Sequence, residues 1–396
     1  MPKKMRILMI APQPFYAERG TPMNVRLLCK VLGEAGNKID LLVFPTGGDI
    51  DLKNLRIVRL PNLLNVKSIP VGPSKIKLAY DLLLTAASLC LIVTKKYDVI
   101  HGIEESGFLA IILSKLFGIA SVLDMDSYIS DHLHYSGFVK NSFLLNLVKK
   151  FESWSIRKSC VIITVCQALS EKVRGIFPEA NIHQIEDIPI SYFEKSADPK
   201  VDDLIVKYNL SDASRVIYTG NLESYQGIDL LIDSWKLLCD QGNNSKTYCL
   251  VMVGGNASQI EHYKKIAAAH GLSDTICWVG QRPSSEMKDW MSLSNVLVSP
   301  RSEGENTPLK IYSYMASGRP IVATRRKTHT QVLDDSMAFL ADPEPNIFGN
   351  AIFRAINENE ISKSKAEMAK RIVENKYSYS KFQKKLLAAY NSINTT

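Results

Sequence analysis

Residues 303–324 read EGENTPLKIYSYMASGRPIVAT. The stretch opens with two acids and a turn, continues as an amphipathic helix, and closes in a short apolar run that reads as a buried strand. Another apolar run, Val296-Leu297-Val298, stands directly before it. Strand, polar corner, helix and strand together indicate a parallel sheet with helical crossovers. In such sheets ligands sit beyond the carboxyl ends of the strands. Glu303, Glu305, Asn306, Thr307, Pro308, Leu309 and Lys310 occupy that corner, which makes it a candidate site.

The same alternation runs through the whole chain. In the first half, strands are expected at 6–10, 38–44, 57–60, 98–100, 121–123 and 161–164, with helices near 22–34, 76–94, 107–116 and 142–157. In the second half, strands are expected at 216–218, 250–253, 276–279 and 296–299, with helices near 228–238, 258–270 and 286–293. At 396 residues the chain exceeds one compact core, and two domains of roughly 180–200 residues are expected. Residues 191–214 are polar and weakly patterned, which suits a connection between domains. Residues 377–393 read as a last helix with Phe382, Leu386, Leu387 and Tyr390 on one face. The expected fold class is α/β, with two Rossmann-like, doubly wound parallel-sheet domains over residues 1–190 and 191–376, followed by a terminal helix within 377–396.

Composition is ordinary for a soluble globular protein, which excludes disordered and fibrous classes. The apolar run after Lys3, Lys4 and Arg6 is too short for the core of a signal peptide and lacks a small-residue cleavage site, so it reads as a first strand. The seven cysteines are scattered, with no Cys-x-x-Cys pair, as expected of a reduced, cytosolic protein without structural zinc. Net charge is +8 and uneven: residues 1–190 hold 23 Lys/Arg against 17 Asp/Glu, and the remainder 25 against 23. A basic half faces nucleic acid, anionic lipid or phosphorylated substrates, or is simply solvated. The sequence has no recognition helix, aromatic-basic ribbon or zinc module, so nucleic acid is not expected as a partner. The apolar run 82–93 is flanked by Lys75, Lys77, Lys95 and Lys96 and is shorter than the roughly twenty residues of a membrane span. It reads as a helix buried against the sheet, with a helix lying on a membrane surface, held by its lysines, as the alternative.

Corners that admit a ligand recur at strand ends. Gly20-Thr21-Pro22 opens a helix after the first strand, and free N–H groups at such a start attract anions. In the second half Gly220 and Gly227 bracket a loop, Gly254-Gly255-Asn256 allows close backbone approach, and Gly280 ends another strand shortly before Arg282.

The segments YTGN…YQGIDLLIDSW, VMVGG, ICWVGQRPSSEMKDWMSLSNVLVSPR and NTPLKIYSYMASGRPIVAT resemble the donor-binding domain of glycosyltransferase family 4. GTPMNVRLLCKVLGEAG, YDVIHGIEESGFLA and VLDMDSY extend the resemblance to the first half. It implies a GT-B fold, two domains facing a central cleft, a last helix that crosses back to the first domain, and sugar transfer with retention and without a metal. The family's signature is two glutamates separated by seven residues, the first near the transferred sugar and the second on the nucleotide ribose. Spacing to position 313 selects Glu305 as the first, whereas the Glu-Gly dipeptide selects Glu303; position 313 itself is Ser313. The family's phosphate-binding Arg and Lys correspond to Asn221 and Gln226. The charge of a departing diphosphate then falls to Lys310, Arg301 and the helix starts at Gly20 and Thr307. A cation in the first turn of a helix opposes the helix dipole, so Lys310 points to an anion bound nearby.

His101 ends a strand and reads either as a contact to acceptor or sugar or as a core histidine. Asp124-Met125-Asp126 spells the Asp-x-Asp pattern of metal-dependent, single-domain glycosyltransferases, but the two-domain alternation is the wrong architecture for it. No metal site is therefore expected, and Asp126 is expected near the leaving group or acceptor. The expected protein is a cytoplasmic retaining glycosyltransferase that moves a sugar from a nucleotide-diphosphate donor to a carbohydrate or lipid-linked acceptor, in cell-surface polysaccharide or glycolipid assembly. It is expected to need no cofactor besides that donor and to contact the inner, anionic face of a membrane. A competing reading is a non-catalytic nucleotide-sugar-binding protein with a degenerate site, for which Asn221, Gln226 and Ser313 speak. A third is another GT-B enzyme, such as a nucleotide-sugar epimerase.

Overall fold

The computed structural model describes residues 4–15, 20–67, 69, 74–135, 141–192, 201–210, 213–241 and 247–395. The chain divides into two compact units, Met1–Glu186 with Ser380–Thr396, and Asp187–Tyr379. The first contains β1 (Arg6–Ala11), α1 (Gly20–Glu34), β2 (Lys38–Val43), β3 (Leu55–Arg59), α2 (Lys75–Thr94), β4 (Val99–Ile103), α3 (Ser106–Phe117), β5 (Ala120–Met125), α4 (Ile129–Tyr135), α5 (Ser142–Lys158), β6 (Val161–Thr164), α6 (Gln167–Ile176) and β7 (Ile182–Gln184). The second contains α7 (Val201–Tyr208), β8 (Ala213–Thr219), α8 (Ile228–Gln241), β9 (Thr247–Val253), α9 (Ala257–Ala269), β10 (Ile276–Gly280), α10 (Met287–Leu293), β11 (Val296–Ser299), α11 (Leu309–Ser317), β12 (Ile321–Thr324), α12 (Lys327–Thr330), β13 (Phe339–Ala341), α13 (Pro345–Asn357) and α14 (Asn359–Lys376). The last helix, α15 (Tyr379–Asn391), lies almost wholly in the first unit.

Each unit is built on one parallel sheet. The strand orders are β3-β2-β1-β4-β5-β6-β7 and β10-β9-β8-β11-β12-β13. In each sheet the chain turns back past its first strand, so the order reverses between β1 and β4 and again between β8 and β11. The loops leaving those strands diverge there, and the sheet opens a crevice for ligands. The central strands are apolar on both faces because helices cover both. On one face of the first sheet Leu8, Ile10, Leu42 and Ile100 pack against Tyr80 and Leu84 of α2 and Leu113 of α3. On the same face Leu123 and Ile162 pack against Ile111 of α3, Ile156 of α5 and Leu169 of α6. In the second unit Trp235 of α8 and Phe348 of α13 fill one core layer, and Trp290, Ile311 and Tyr314 the other.

Several elements depart from the sequence reading. Part of the expected connection forms α7, whose Leu204 is buried and whose Tyr208 meets the Trp290 ring edge-on at 5.3 Å. Residues 193–200 and 211–212 of that connection lie outside the described residues. The helices α13 and α14 fill 345–376, where no element was expected. The buried residues of α14 are Ser362, Ala366, Ala369 and Val373, a small-residue stripe that gives little hydrophobic signal. β7 and β13 are three residues each, too short to show a period of two. The helix α2, read as buried against the sheet, buries only the stripe Tyr80, Leu84, Ser88 and Ile92.

α15 is tied to the first unit by polar contacts as well as by Phe382, Leu386 and Tyr390. The Tyr390 hydroxyl lies 2.6 Å from His101 Nδ1, and His101 Nε2 lies 3.2 Å from Asp124 Oδ2. All three groups are buried. A carboxylate only accepts, so Nε2 carries the proton to Asp124 and Tyr390 donates to Nδ1. Burial, reinforced by Asp124, pushes the Tyr390 hydroxyl well above the usual phenol range, which keeps it a donor. Lys385 also pairs with Glu186, and Asn181 Nδ2 donates to Ser392 Oγ at 3.0 Å. Tyr390→Phe strands a buried imidazole nitrogen. It is expected to cost about 1–3 kcal/mol, read as a lower urea midpoint; an unchanged midpoint would assign the anchoring to apolar packing alone.

Candidate active site

The second switch point is assembled by close backbone approach. Gly220 follows β8 with φ +137°, and a Cβ there would lie 2.8 Å from Lys310 Nζ. Gly254 follows β9 with φ +129°, and its Cβ would lie 1.9 Å from the Gly220 carbonyl oxygen. No other residue fits at 254 without moving backbone. The Gly254 N–H donates to the Gly280 carbonyl at 2.8 Å, so the ends of β8, β9 and β10 are stitched together. The loop after β8 also meets the end of β11: the Ser302 N–H donates to the Tyr225 carbonyl at 3.3 Å.

The acidic corner after β11 is held from behind. Thr324 Oγ1 donates to the Arg301 carbonyl, Thr328 Oγ1 to the Asn306 carbonyl at 2.6 Å, and Gln331 Nε2 to the Glu305 carbonyl at 2.6 Å. Behind these anchors His329 is enclosed, with Nε2 2.9 Å from Ser299 Oγ and Nδ1 2.9 Å from the Thr324 carbonyl. Burial pushes its pKa down to about 3, so it is a neutral strut. Inside the corner Arg301 Nε donates to the Glu303 carbonyl at 2.8 Å and Nη2 to Asn306 Oδ1 at 2.7 Å. The corner is thus a fixed loop, with Glu303 exposed and Glu305 half-buried.

Two cations border it. Lys310 is the second residue of α11. Its ammonium lies 3.3 Å from Gln226 Oε1 and 3.9 Å from the centre of the Tyr218 ring. The Arg301 guanidinium lies 5.2 Å from the Tyr225 ring. Burial, then the nearby Arg301, holds Lys310 well below the usual lysine range. Rings and an amide oxygen compensate only part of a desolvated charge. Pro308 caps α11 without a side-chain hydrogen bond, leaving the first N–H groups of the helix for another acceptor. The Thr307 hydroxyl is buried with no partner among the described residues. Two cations, a helix start and an unspent hydroxyl make an arrangement that suits an oxyanion.

Of the residues singled out in the sequence, Gly220, Asn221, Gln226, Gly254, Gly280, Arg301, Asn306, Thr307, Pro308, Leu309 and Lys310 meet at this switch point. Two others there are differently engaged. Arg282 places Nε and Nη2 on Glu286 at 2.8 and 2.7 Å. Ser313 is buried and accepts from the Ile190 N–H at 3.2 Å. This serine, expected to contact the nucleotide ribose, holds backbone instead. Gly20, Thr21, His101 and Asp126 belong to the first unit. Gly20 and Thr21 start α1, and Asp126 is half-buried just after β5. His101 is fully buried with both ring nitrogens engaged, so the expected contact to sugar or acceptor gives way to the core reading: β4 turns it inward toward α15. Asp124 is buried beside it, so the two acids of Asp124-Met125-Asp126 do not form a matched pair.

Some contributors gave no sequence signal. Tyr218 and Tyr225 read as ordinary aromatics, and Thr328 and Gln331 follow the next strand. Glu104 has φ +50°, a left-handed conformation costly for a non-glycine residue. Its carboxyl, next to the Thr21 side chain, has a pKa raised first by burial and then by Glu105.

Two parallel-sheet units, each with a switch point at its strand ends, are the plan of the GT-B fold. The profile of the family described as "Glycosyl transferases group 1" matches residues 213–358. The chain is 22% identical over 301 residues to the alpha-D-kanosaminyltransferase of Streptomyces kanamyceticus, covering 74% of this chain and 75% of that protein. It is 29% identical over 189 residues to the lipopolysaccharide 1,2-N-acetylglucosaminetransferase of Salmonella typhimurium, covering 45% and 48%. In structure it resembles Anabaena HepE, solved in complex with UDP-glucose, with a TM-score of 0.75, 14% identity, and coverage of 98% of this chain and 100% of that one. Over residues 213–358 the chain matches the group 1 glycosyltransferases, enzymes that transfer hexoses from nucleotide-sugar donors, and its two parallel sheets have the GT-B fold.

Removing the Lys310 ammonium is expected to weaken nucleoside-diphosphate binding by about 1.5–3 kcal/mol and nucleoside binding far less. Calorimetry on Lys310→Ala tests this; equal losses for both ligands would remove Lys310 from the phosphate site. The pH dependence has a definite sign. A lysine whose pKa is lowered in the free protein and restored by an anion takes up a proton on binding. Diphosphate affinity should therefore rise as pH falls toward the lowered value and level off below it. Titrations in buffers of different ionisation enthalpy should detect the proton, and Lys310→Met should abolish it.

Proposed function

We propose that the enzyme transfers a hexose from a nucleoside-diphosphate sugar, with retention of anomeric configuration, to a hydroxyl of a carbohydrate or lipid-linked acceptor in the assembly of a cell-surface polysaccharide or glycolipid. The observation that carries the donor half is Lys310, a half-buried lysine at a helix start beside Arg301, its ammonium against Gln226 and the Tyr218 ring. In the reaction the acceptor oxygen bonds to the anomeric carbon, the bond from that carbon to the diphosphate oxygen breaks, and the acceptor proton leaves with the diphosphate or to a base. Negative charge grows on the diphosphate as that bond breaks. Preformed cations there lower the barrier without reorganising. Lys310 and Arg301 would take the part played in the family by the loop cations that Asn221 and Gln226 replace.

Retention follows from the family resemblance. The acceptor class is supported by the relatives' printed names, one a lipopolysaccharide N-acetylglucosaminetransferase. UDP-glucose, the ligand of the Anabaena protein, is the first donor to test. Seven free cysteines support a reducing, cytoplasmic setting.

Glu305→Gln and Glu303→Gln separate the two candidate acids. Each keeps shape and removes charge at a rim position whose backbone is held by other groups. If Glu305 acts on the transition state, its variant should lose kcat and kcat/KM together, by about tenfold or more, with donor affinity nearly constant. Glu303→Gln should stay near wild-type activity. The opposite pattern shifts the signature by two residues and gives the role to Glu303.

A further inference from the structure

The outer surface of the first unit is unusually apolar. α2 and α3 cover the same core layer, α3 and α5 the next, and the Phe108 and Phe151 rings lie 6.4 Å apart. The three helices therefore lie side by side on one face of the sheet. Their outward sides carry large exposed apolar residues: Leu82 is 67% exposed, Val93 73%, Leu116 69% and Phe143 72%. On α2 the exposed positions 78, 82, 89 and 93 form a stripe opposite the buried one. α2 is twenty residues long with mean hydropathy 1.9, enough to cross a membrane by length and composition, yet only 22% of that window is buried. The helix extends about two turns before the apolar run 82–93, through Lys75, Lys77 and Asp81.

Tyr80, Leu84 and Ile92 belong to the core of the first unit, so α2 could cross a bilayer only by unfolding that core. Its second apolar face is spare, and apolar patches of this extent mark interaction surfaces. The charges around it have one dominant sign. Lys75, Lys96, Lys115, Lys149, Lys150 and Lys158 are all exposed on or beside these helices. Two acids on the same helices are already engaged: Asp81 pairs with Lys77, and buried Glu152 accepts from the Ile129 N–H at 2.6 Å. An apolar strip bordered by lysines complements an anionic lipid surface, with side chains entering the acyl boundary and ammonium groups meeting headgroups.

We propose that the outer face of α2, α3 and α5 docks the enzyme on an anionic bilayer. The inference is independent of which acceptor is used. The test is co-sedimentation of the full-length protein with vesicles of phosphatidylcholine alone and of phosphatidylcholine with phosphatidylglycerol. Wild type should prefer the anionic vesicles by about tenfold or more at low salt, and salt should erase the preference. The double variant Leu82→Glu, Phe143→Glu should lose binding while keeping wild-type thermal unfolding and donor turnover, since both positions are exposed and belong to the first unit, whereas the donor site is built from the second. Equal binding to both vesicle types, or full binding by the double variant, would overturn the proposal. So would a wild-type dimer in sedimentation velocity that the double variant dissociates, because the face would then belong to a second copy of the chain. Lost donor turnover in wild type would count against the proposed reaction and leave the docking result standing.

Discussion

Holding the half-buried Lys310 ammonium against Gln226 and the Tyr218 ring is the constraint on which the second unit's site depends. Among the described residues it has no carboxylate at ion-pair distance, and its neighbours are Gln226, the Tyr218 ring and the Arg301 guanidinium. Such a charge is costly unless something compensates it. The compensation these groups give is partial, and an anion would complete it. The surrounding scaffold makes this placement hold. Gly220 leaves room for the ammonium, Gly254 leaves room for Gly220, and Thr324, Thr328 and Gln331 keep the Arg301 corner from relaxing away.

The side chains at Gln226 and Ser313 fit that arrangement. With loop cations at 221 and 226, Lys310 and Arg301 would face further positive charge across a small space. Gln226 instead offers an amide oxygen to Lys310. Ser313 pins Ile190 at the start of the second unit, a task its short side chain performs at hydrogen-bond distance from backbone.

The first unit has two different surfaces. On one side of its sheet α15 is locked by Tyr390, His101 and Asp124, three buried polar groups linked by hydrogen bonds. On the other side, α2, α3 and α5 bury one apolar stripe each and leave further apolar side chains in contact with solvent. The hydrophobic effect acts on exposed area whichever way it faces, so the fold uses half of what α2 offers and leaves the rest for a second phase.

The sequence by itself determined the two-unit α/β plan. Runs such as Leu250–Val253 and Val296–Ser299 have no polar face, a pattern that only a parallel sheet covered on both sides satisfies. It also determined which glycines stand at strand ends and that Lys310 stands at a helix start, because periodicity and φ requirements are local. Local pattern could not supply contacts between residues far apart in the chain. That His101 turns inward to Tyr390, 289 positions away, follows from where α15 packs. That Arg282 is claimed by Glu286, and Ser313 by Ile190, depends on loop geometry that propensity does not encode. α14 escaped the reading because its buried side is small residues, chosen by the space left against α11. The two faces of α2 look alike in sequence; tertiary packing alone decided which stripe entered the core, since burial depends on what a neighbour covers and not on the residue itself.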